Sequence, residues 1–162
     1  MLRAVIGLLV LALMPRLFPG EPIVRITTTE KVQAFTAEEF AALPHVEVRT
    51  LEPHEKVERT YRGVSMRQLL ALAGAPLGDK LRGPALSLGV LIRCKDQYTV
   101  LFALAEFDEN FSARTILLAD QEDGKPPPAT AAPLRLVAPG DQRGARWARM
   151  VTAIEVVSLG NR

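Results

Sequence analysis

Cysteine, histidine and tryptophan are scarce in this chain of 162 residues, and each scarcity excludes something. The single cysteine, Cys94, rules out an intrachain disulfide in any compartment. With only His45 and His54 beside it, the spacing fits no zinc-ligand pattern, and both histidines are expected at exposed or half-exposed positions. No Ser/His or Cys/His arrangement marks an activated nucleophile. No internal repeat or linker splits the chain, so the length, 48% hydrophobic content and 23% charged content describe one packed domain.

Net charge is also small, at a formal +2. Residues 1–20 hold Arg3 and Arg16 and no acid, so removing them leaves the basic and acidic residues in balance. The totals supply no basic face for a nucleic-acid backbone, and no nucleic-acid partner is expected. Charge is instead segregated: Glu106, Asp108, Glu109, Asp120, Glu122 and Asp123 crowd one stretch, and Arg135, Arg143, Arg146 and Arg149 the next.

What is present begins with a basic start, Met1-Leu2-Arg3, and an uncharged apolar run over residues 4–14 that Pro15, Pro19 and Gly20 end. Such a run is shorter than the ~20 residues of a bilayer span and suits a secretory signal. Residues 1–20 are therefore expected to be a signal peptide or N-terminal anchor, residues 21–162 a single domain, and the protein periplasmic or secreted.

Strand patterns recur along that domain. Residues 23–28 alternate, and Thr36-Ala37-Glu38-Glu39 reads as a capping box or N-cap opening a short helix that Pro44 stops. Residues 46–50 and 57–62 alternate on either side of a Glu52-Pro53-His54-Glu55 turn and should pair as a hairpin. Ser65 is an N-cap for a helix with Met66, Leu69, Leu70 and Ala73 on one face, closed by Gly74 and Pro76. Residues 86–93 and 98–102 pattern as a buried strand and its partner across the Lys95-Asp96-Gln97 turn, and residues 115–119 as a further strand. About eight strands in runs, with two short helices, give an α+β class rich in sheet.

The organising stretch is residues 132–157, where two strand-like runs flank a basic loop carrying Arg143, Arg146, Arg149 and the only tryptophan, Trp147. Guanidinium forks and an indole face can hold a flat anionic heterocycle. The plainer alternative is a core tryptophan and a solvated arginine rim.

Six short motifs, in order, resemble the oxidoreductase molybdopterin-binding domain, the fold of sulfite oxidase. They are Tyr61-Arg62-Gly63-Val64-Ser65-Met66-Arg67-Gln68-Leu69-Leu70, Asp96-Gln97-Tyr98, Ala105-Glu106-Phe107-Asp108, Leu117-Leu118-Ala119, Asp123-Gly124-Lys125-Pro126 and residues 132–141. The resemblance implies a compact sheet-rich α+β domain whose catalytic relatives hold molybdenum through two pterin sulfurs and one protein cysteine. Cys94 does not lie where the resemblance puts that ligand and reads as a small buried apolar side chain, so molybdenum is not expected here. Gln97 and Ala132 stand where the family pattern has glycines, which bears on tight loops near the ligand.

The chain is shorter than the catalytic enzymes and is more similar to small exported members that bind a pterin without metal and signal to a membrane partner. For a pterin, Glu106 and Asp108 are candidate acceptors for the aminopyrimidinone edge, and Trp147 and Tyr98 candidate stacking faces. Arg135, Arg143, Arg146 and Arg149 are candidates for a carbonyl oxygen or the phosphate of molybdopterin. Three readings stand at this point: a non-catalytic pterin-binding module, a molybdopterin-dependent oxidoreductase or its subunit, and an interaction domain with an empty pocket.

Overall fold

The computed structural model describes residues 20–160. The expected signal or anchor therefore lies almost wholly outside the described residues. Among the described residues nine strands form two sheets around one continuous apolar core, which is the sheet-rich α+β architecture the sequence pattern implies.

The five-stranded sheet has the order β2-β1-β9-β5-β6, from β1 (Val24–Thr27), β2 (Val32–Phe35), β5 (Leu88–Cys94), β6 (Thr99–Ala103) and β9 (Val151–Ser158). Only the β1·β9 pairing is parallel. β2 carries no clear alternation, and its exposed Val32 shows why the pattern was silent there. The four-stranded sheet runs β3-β4-β7-β8, all antiparallel, from β3 (Val46–Leu51), β4 (Glu58–Ser65), β7 (Leu117–Glu122) and β8 (Arg135–Val137). β3 and β4 form the expected hairpin.

Helix α1 (Ala37–Ala41) starts with the anticipated capping box: Thr36 Oγ1 accepts from Glu39 N–H, and the Glu39 carboxylate accepts from Thr36 N–H. Helix α2 (Met66–Leu72) is capped by Ser65 and buries Met66, Leu69 and Leu70 completely. Gly63 sits at a bulge in β4 where a Cβ would fall 2.2 Å from the carbonyl oxygen of Leu118. Only glycine lets β4 lie that close to β7.

Ile26, Ile92, Phe102 and Ile154 of the larger sheet and Tyr61, Val64, Leu118 and Leu136 of the smaller one all enter the core. Backbone bonds stitch the sheets at one end: Leu136 N–H donates to Ala148 O, and Val151 N–H to Leu134 O. The segment between β8 and β9 is thereby anchored on both sides and held against the tip of the β3–β4 hairpin.

Candidate functional site

One wall of the site is the hairpin tip. Glu52 N–H donates to Val57 O, and Lys56, at φ 59°, closes the turn by donating to Glu52 O. The Glu52 carboxylate organises the same turn by accepting from the N–H groups of His54 (2.7 Å) and Glu55 (2.6 Å). Its other oxygen takes a hydrogen bond from Arg135 on β8 at 2.9 Å, and Arg135 also reaches Glu122 at 3.1 Å. Burial works to raise the Glu52 pKa, but the two backbone donors and Arg135 outweigh it and hold the carboxyl below its ordinary value. The Arg135 guanidinium lies 5.5 Å from the ring centroids of both Tyr61 and Trp147.

The facing wall is residues 138–150. Trp147 is only 3% exposed, packs edge-on against Tyr61, and donates from Nε1 to Ala138 O. Arg146, Asp141, Arg114 and Glu106 close a ring of alternating charge: Arg146 pairs with Asp141 at 2.8 Å and Glu106 at 3.1 Å, and Arg114 pairs with Asp141 at 2.7 Å and also with Glu106. Arg146 also lies 4.4 Å over the Phe102 ring. Burial raises the Asp141 pKa, yet the two guanidinium groups win and lower it. This ring locks the loop to the turn after β6 and to the segment before β7.

The walls meet where Gly144 passes the His54 ring so closely that a Cβ would stand 2.4 Å from Nε2. On one side of that contact lies a cleft of about 510 Å³ lined by Thr50, Pro53, Lys56, Gly140 and Gln142. On the other side lie a cleft of about 230 Å³ reaching Asp96 and Tyr98 and a smaller recess of about 140 Å³ reaching Glu52 and Arg135. His54 and Arg149 border both of the latter. Lys56 lines the first cleft and Arg149 the other two, with Arg143 exposed on the loop between; among the described residues none of the three has a carboxylate within salt-bridge distance, and Asp96 has no cation within it. Exposed cations thus border the clefts above compensated ones, a setting that suits an anionic group, with Asp96 the unpaired acid beside Arg149.

The family described as the oxidoreductase molybdopterin binding domain matches residues 25–160. The chain belongs to that family. Its fold is shared with the sulfane dehydrogenase SoxCD from Paracoccus pantotrophus, at a TM-score of 0.62 and 20% identity over 86% of this chain. The chain spans 39% of that neighbour's length. No curated protein matches the sequence.

Within this molybdopterin-binding domain the eight sequence-derived candidates separate by environment. Arg149 and Tyr98 border the same cleft, Tyr98 46% exposed with its hydroxyl donating to Ala145 O, and Arg143 is exposed on the neighbouring loop. The other five are committed elsewhere. Asp108 is fully buried and accepts from Gly78 N–H (2.6 Å) and Asn110 N–H (2.9 Å), bonds that lower its pKa against the penalty of burial. Trp147 is a core residue, which corrects its reading as a stacking face. Arg135 is buried between two carboxylates, and Glu106 and Arg146 neutralise each other in the charged ring.

The histidines also differ from expectation in one case. His54 is exposed, but the His45 ring is 1% exposed, set between Leu43 O and Asp120. Sequence reasoning missed His54, Lys56 and Gln142 as site residues, because no spacing links a hairpin turn to a loop some ninety positions later. Gln97, where the resemblance expects a glycine, has a left-handed backbone at φ 70°, with Asp96 Oδ1 accepting from Tyr98 N–H beside it. Ala132 has no positive φ and needs no glycine.

Cys94 ends β5 behind Arg149, whose backbone N–H donates to the sulfur. Burial, with the charge of Asp96, pushes the thiol up to about 11, so at neutral pH it is protonated. The sulfur is buried and lines none of the three clefts, which does not fit a ligand to a metal held there.

Proposed function

We propose that this domain is an exported, non-catalytic pterin-binding module that holds a pterin or molybdopterin in the cleft between the hairpin tip and residues 138–150, and reports its occupancy to a membrane partner. One observation carries the reading: exposed cations without a carboxylate partner border the clefts on both sides of the His54–Gly144 contact, Lys56 on one side and Arg149 on the other, while Arg135 and Arg146 beneath them are paired. Family membership supports a ligand of the molybdopterin type. Guanidinium and ammonium groups would hold its phosphate or a pterin carbonyl oxygen, and the exposed part of the Tyr98 ring would supply a flat apolar face. His54 borders the cleft and the recess that Arg149 also lines and would orient the ligand through its ring nitrogens.

The residues present fit the pterin and its phosphate. They do not fit a metal thiolate in the cleft, since Cys94 is buried and lines none of the three clefts. Export is supported by the pattern of residues 1–20, and the membrane partner by the resemblance to small exported members of the fold. Family membership also keeps a molybdopterin-dependent oxidoreductase, or a subunit of one, as a second reading, which requires molybdenum at one per chain and its loss in Cys94→Ser.

Calorimetric titration with tetrahydropterin tests the proposal. The expected result is saturable binding that Arg149→Ala weakens about tenfold, the worth of one charge-assisted hydrogen bond. Absence of heat, or equal binding by the variant, would overturn it.

A further inference from the structure

β3 is the open edge of the four-stranded sheet. Since Glu52 N–H bonds Val57 O, antiparallel alternation turns the backbone groups of Thr50, Val48 and Val46 inward, toward Arg59, Tyr61 and Gly63. The N–H and C=O groups of Glu47, Arg49 and Leu51 therefore point away from β4. Among the described residues no backbone bond outside the ladder reaches them.

The larger sheet treats its edges differently. Ala103 N–H on β6 is taken by the Glu106 carboxylate, and Thr36 N–H after β2 by Glu39. β3 has no such cap, contains no proline and leaves Val46 42% and Leu51 49% exposed. An uncapped edge with exposed apolar side chains is a template for another strand.

The charges on the edge specify which strand. Glu47 and Arg49 share the solvent face of β3, opposite Arg62 and Thr60 of β4. When a second β3 is laid antiparallel, outward-pointing residues must face outward-pointing ones. Two registers then pair most of the strand. One sets Arg49 against Arg49 of the copy, a like-charge pair that is unfavourable. The other places Val48 on the twofold axis and sets Glu47 against Arg49 of the copy on both sides of it. In that register the solvent face reads Arg62, Glu47, then the copy's Arg49 and Thr60, so each carboxylate stands between two cations. Arg49 now bonds Glu58 at 2.6 Å, but both side chains are more than half exposed, and such pairs are worth little.

We propose that β3 is a self-association edge: two copies of this chain join β3 to β3, antiparallel about Val48, fusing their four-stranded sheets into one of eight strands. The join is isologous and closed, so it produces a dimer and no fibre. A contact limited to one strand pair is smaller than the ~1,600 Å² of a standard interface, so association depends on concentration.

Sedimentation equilibrium of the full chain, from micromolar to sub-millimolar, tests this. A monomer–dimer equilibrium is expected. Glu47→Lys or Arg49→Glu alone should weaken it by about tenfold or more, because each change sets like charges opposite each other at two symmetric places. Combining Glu47→Arg with Arg49→Glu restores the pairing and should recover the dimer. Val48→Cys brings two thiols together across the axis and should give a disulfide-linked dimer on oxidation, with the buried Cys94 inert. Circular dichroism of each variant confirms that the fold is unchanged. A chain that sediments as monomer throughout and does not cross-link as Val48→Cys overturns the proposal, as does a dimer whose constant is indifferent to the single charge reversals.

Discussion

Arg135 donates to Glu52 across 83 positions of sequence, at 2.9 Å, with both side chains less than 8% exposed. That bond joins β8 to the hairpin tip and so fixes one wall of the cleft against the other. A buried pair of this kind reveals its importance when one partner is removed, because the other charge is left desolvated. Arg135→Leu leaves Glu52 without its cation, while Glu122 keeps Arg59, and should cost about 3 kcal/mol in urea denaturation. A loss below about 1 kcal/mol would mean that the tip is held by something else.

Stability should fall in acid through four carboxylates whose pKa values are lowered in the folded chain, Glu52, Asp108, Asp141 and Asp123, the exposed Asp123 contributing least. A depressed folded pKa contributes stability that is complete above the unfolded value, roughly 4, and is lost as pH falls through the folded one. The urea midpoint should therefore stay level with respect to these groups from pH 7 to about 5 and drop below about 4. Asp108→Asn should flatten that drop, since its two backbone donors are the source of the depression. An unchanged acid limb in this variant would assign the effect to other groups.

Gln97 bears a side chain at φ 70° in the turn between β5 and β6. Left-handed backbone costs a non-glycine residue about 1–2 kcal/mol, partly offset by the greater unfolded entropy of glycine. Gln97→Gly should raise stability by about 0.5–1 kcal/mol. Thermal denaturation checks this, and a lower melting temperature would show that the Gln97 side chain is making a compensating contact.

Gly63 behaves in the opposite sense. A methyl group there meets the Leu118 backbone at 2.2 Å, where no flexible side chain can yield. Gly63→Ala should destabilise by about 3 kcal/mol or more, read by the same denaturation assay. A near-neutral result would mean that the bulge in β4 relaxes freely.

The frame of this domain was legible because local chemistry wrote it. The hairpin, both N-caps and the strands near residues 88–94 and 151–158 followed from alternation, from Thr36 and Ser65, and from apolar runs. β2 was missed because an edge strand with a mixed face has no period to read. In the site, counting arginines found the basic loop but could not tell Arg143 and Arg149 from Arg146 and Arg135. That distinction depends on where Glu52, Glu106 and Asp141 fall in space, and their partners lie up to 83 positions away. Trp147 illustrates the same limit: its neighbours suggested a ligand face, and its burial against Tyr61 made it core.

The central claim, that the cationic cleft holds a pterin without a metal, is tested most directly by native mass spectrometry with elemental analysis of the full chain expressed for export. A bound pterin or molybdopterin mass, molybdenum far below one per chain, and loss of the adduct in Arg149→Ala are the predicted results. Molybdenum at one per chain that disappears in Cys94→Ser would contradict the account and make the domain an oxidoreductase.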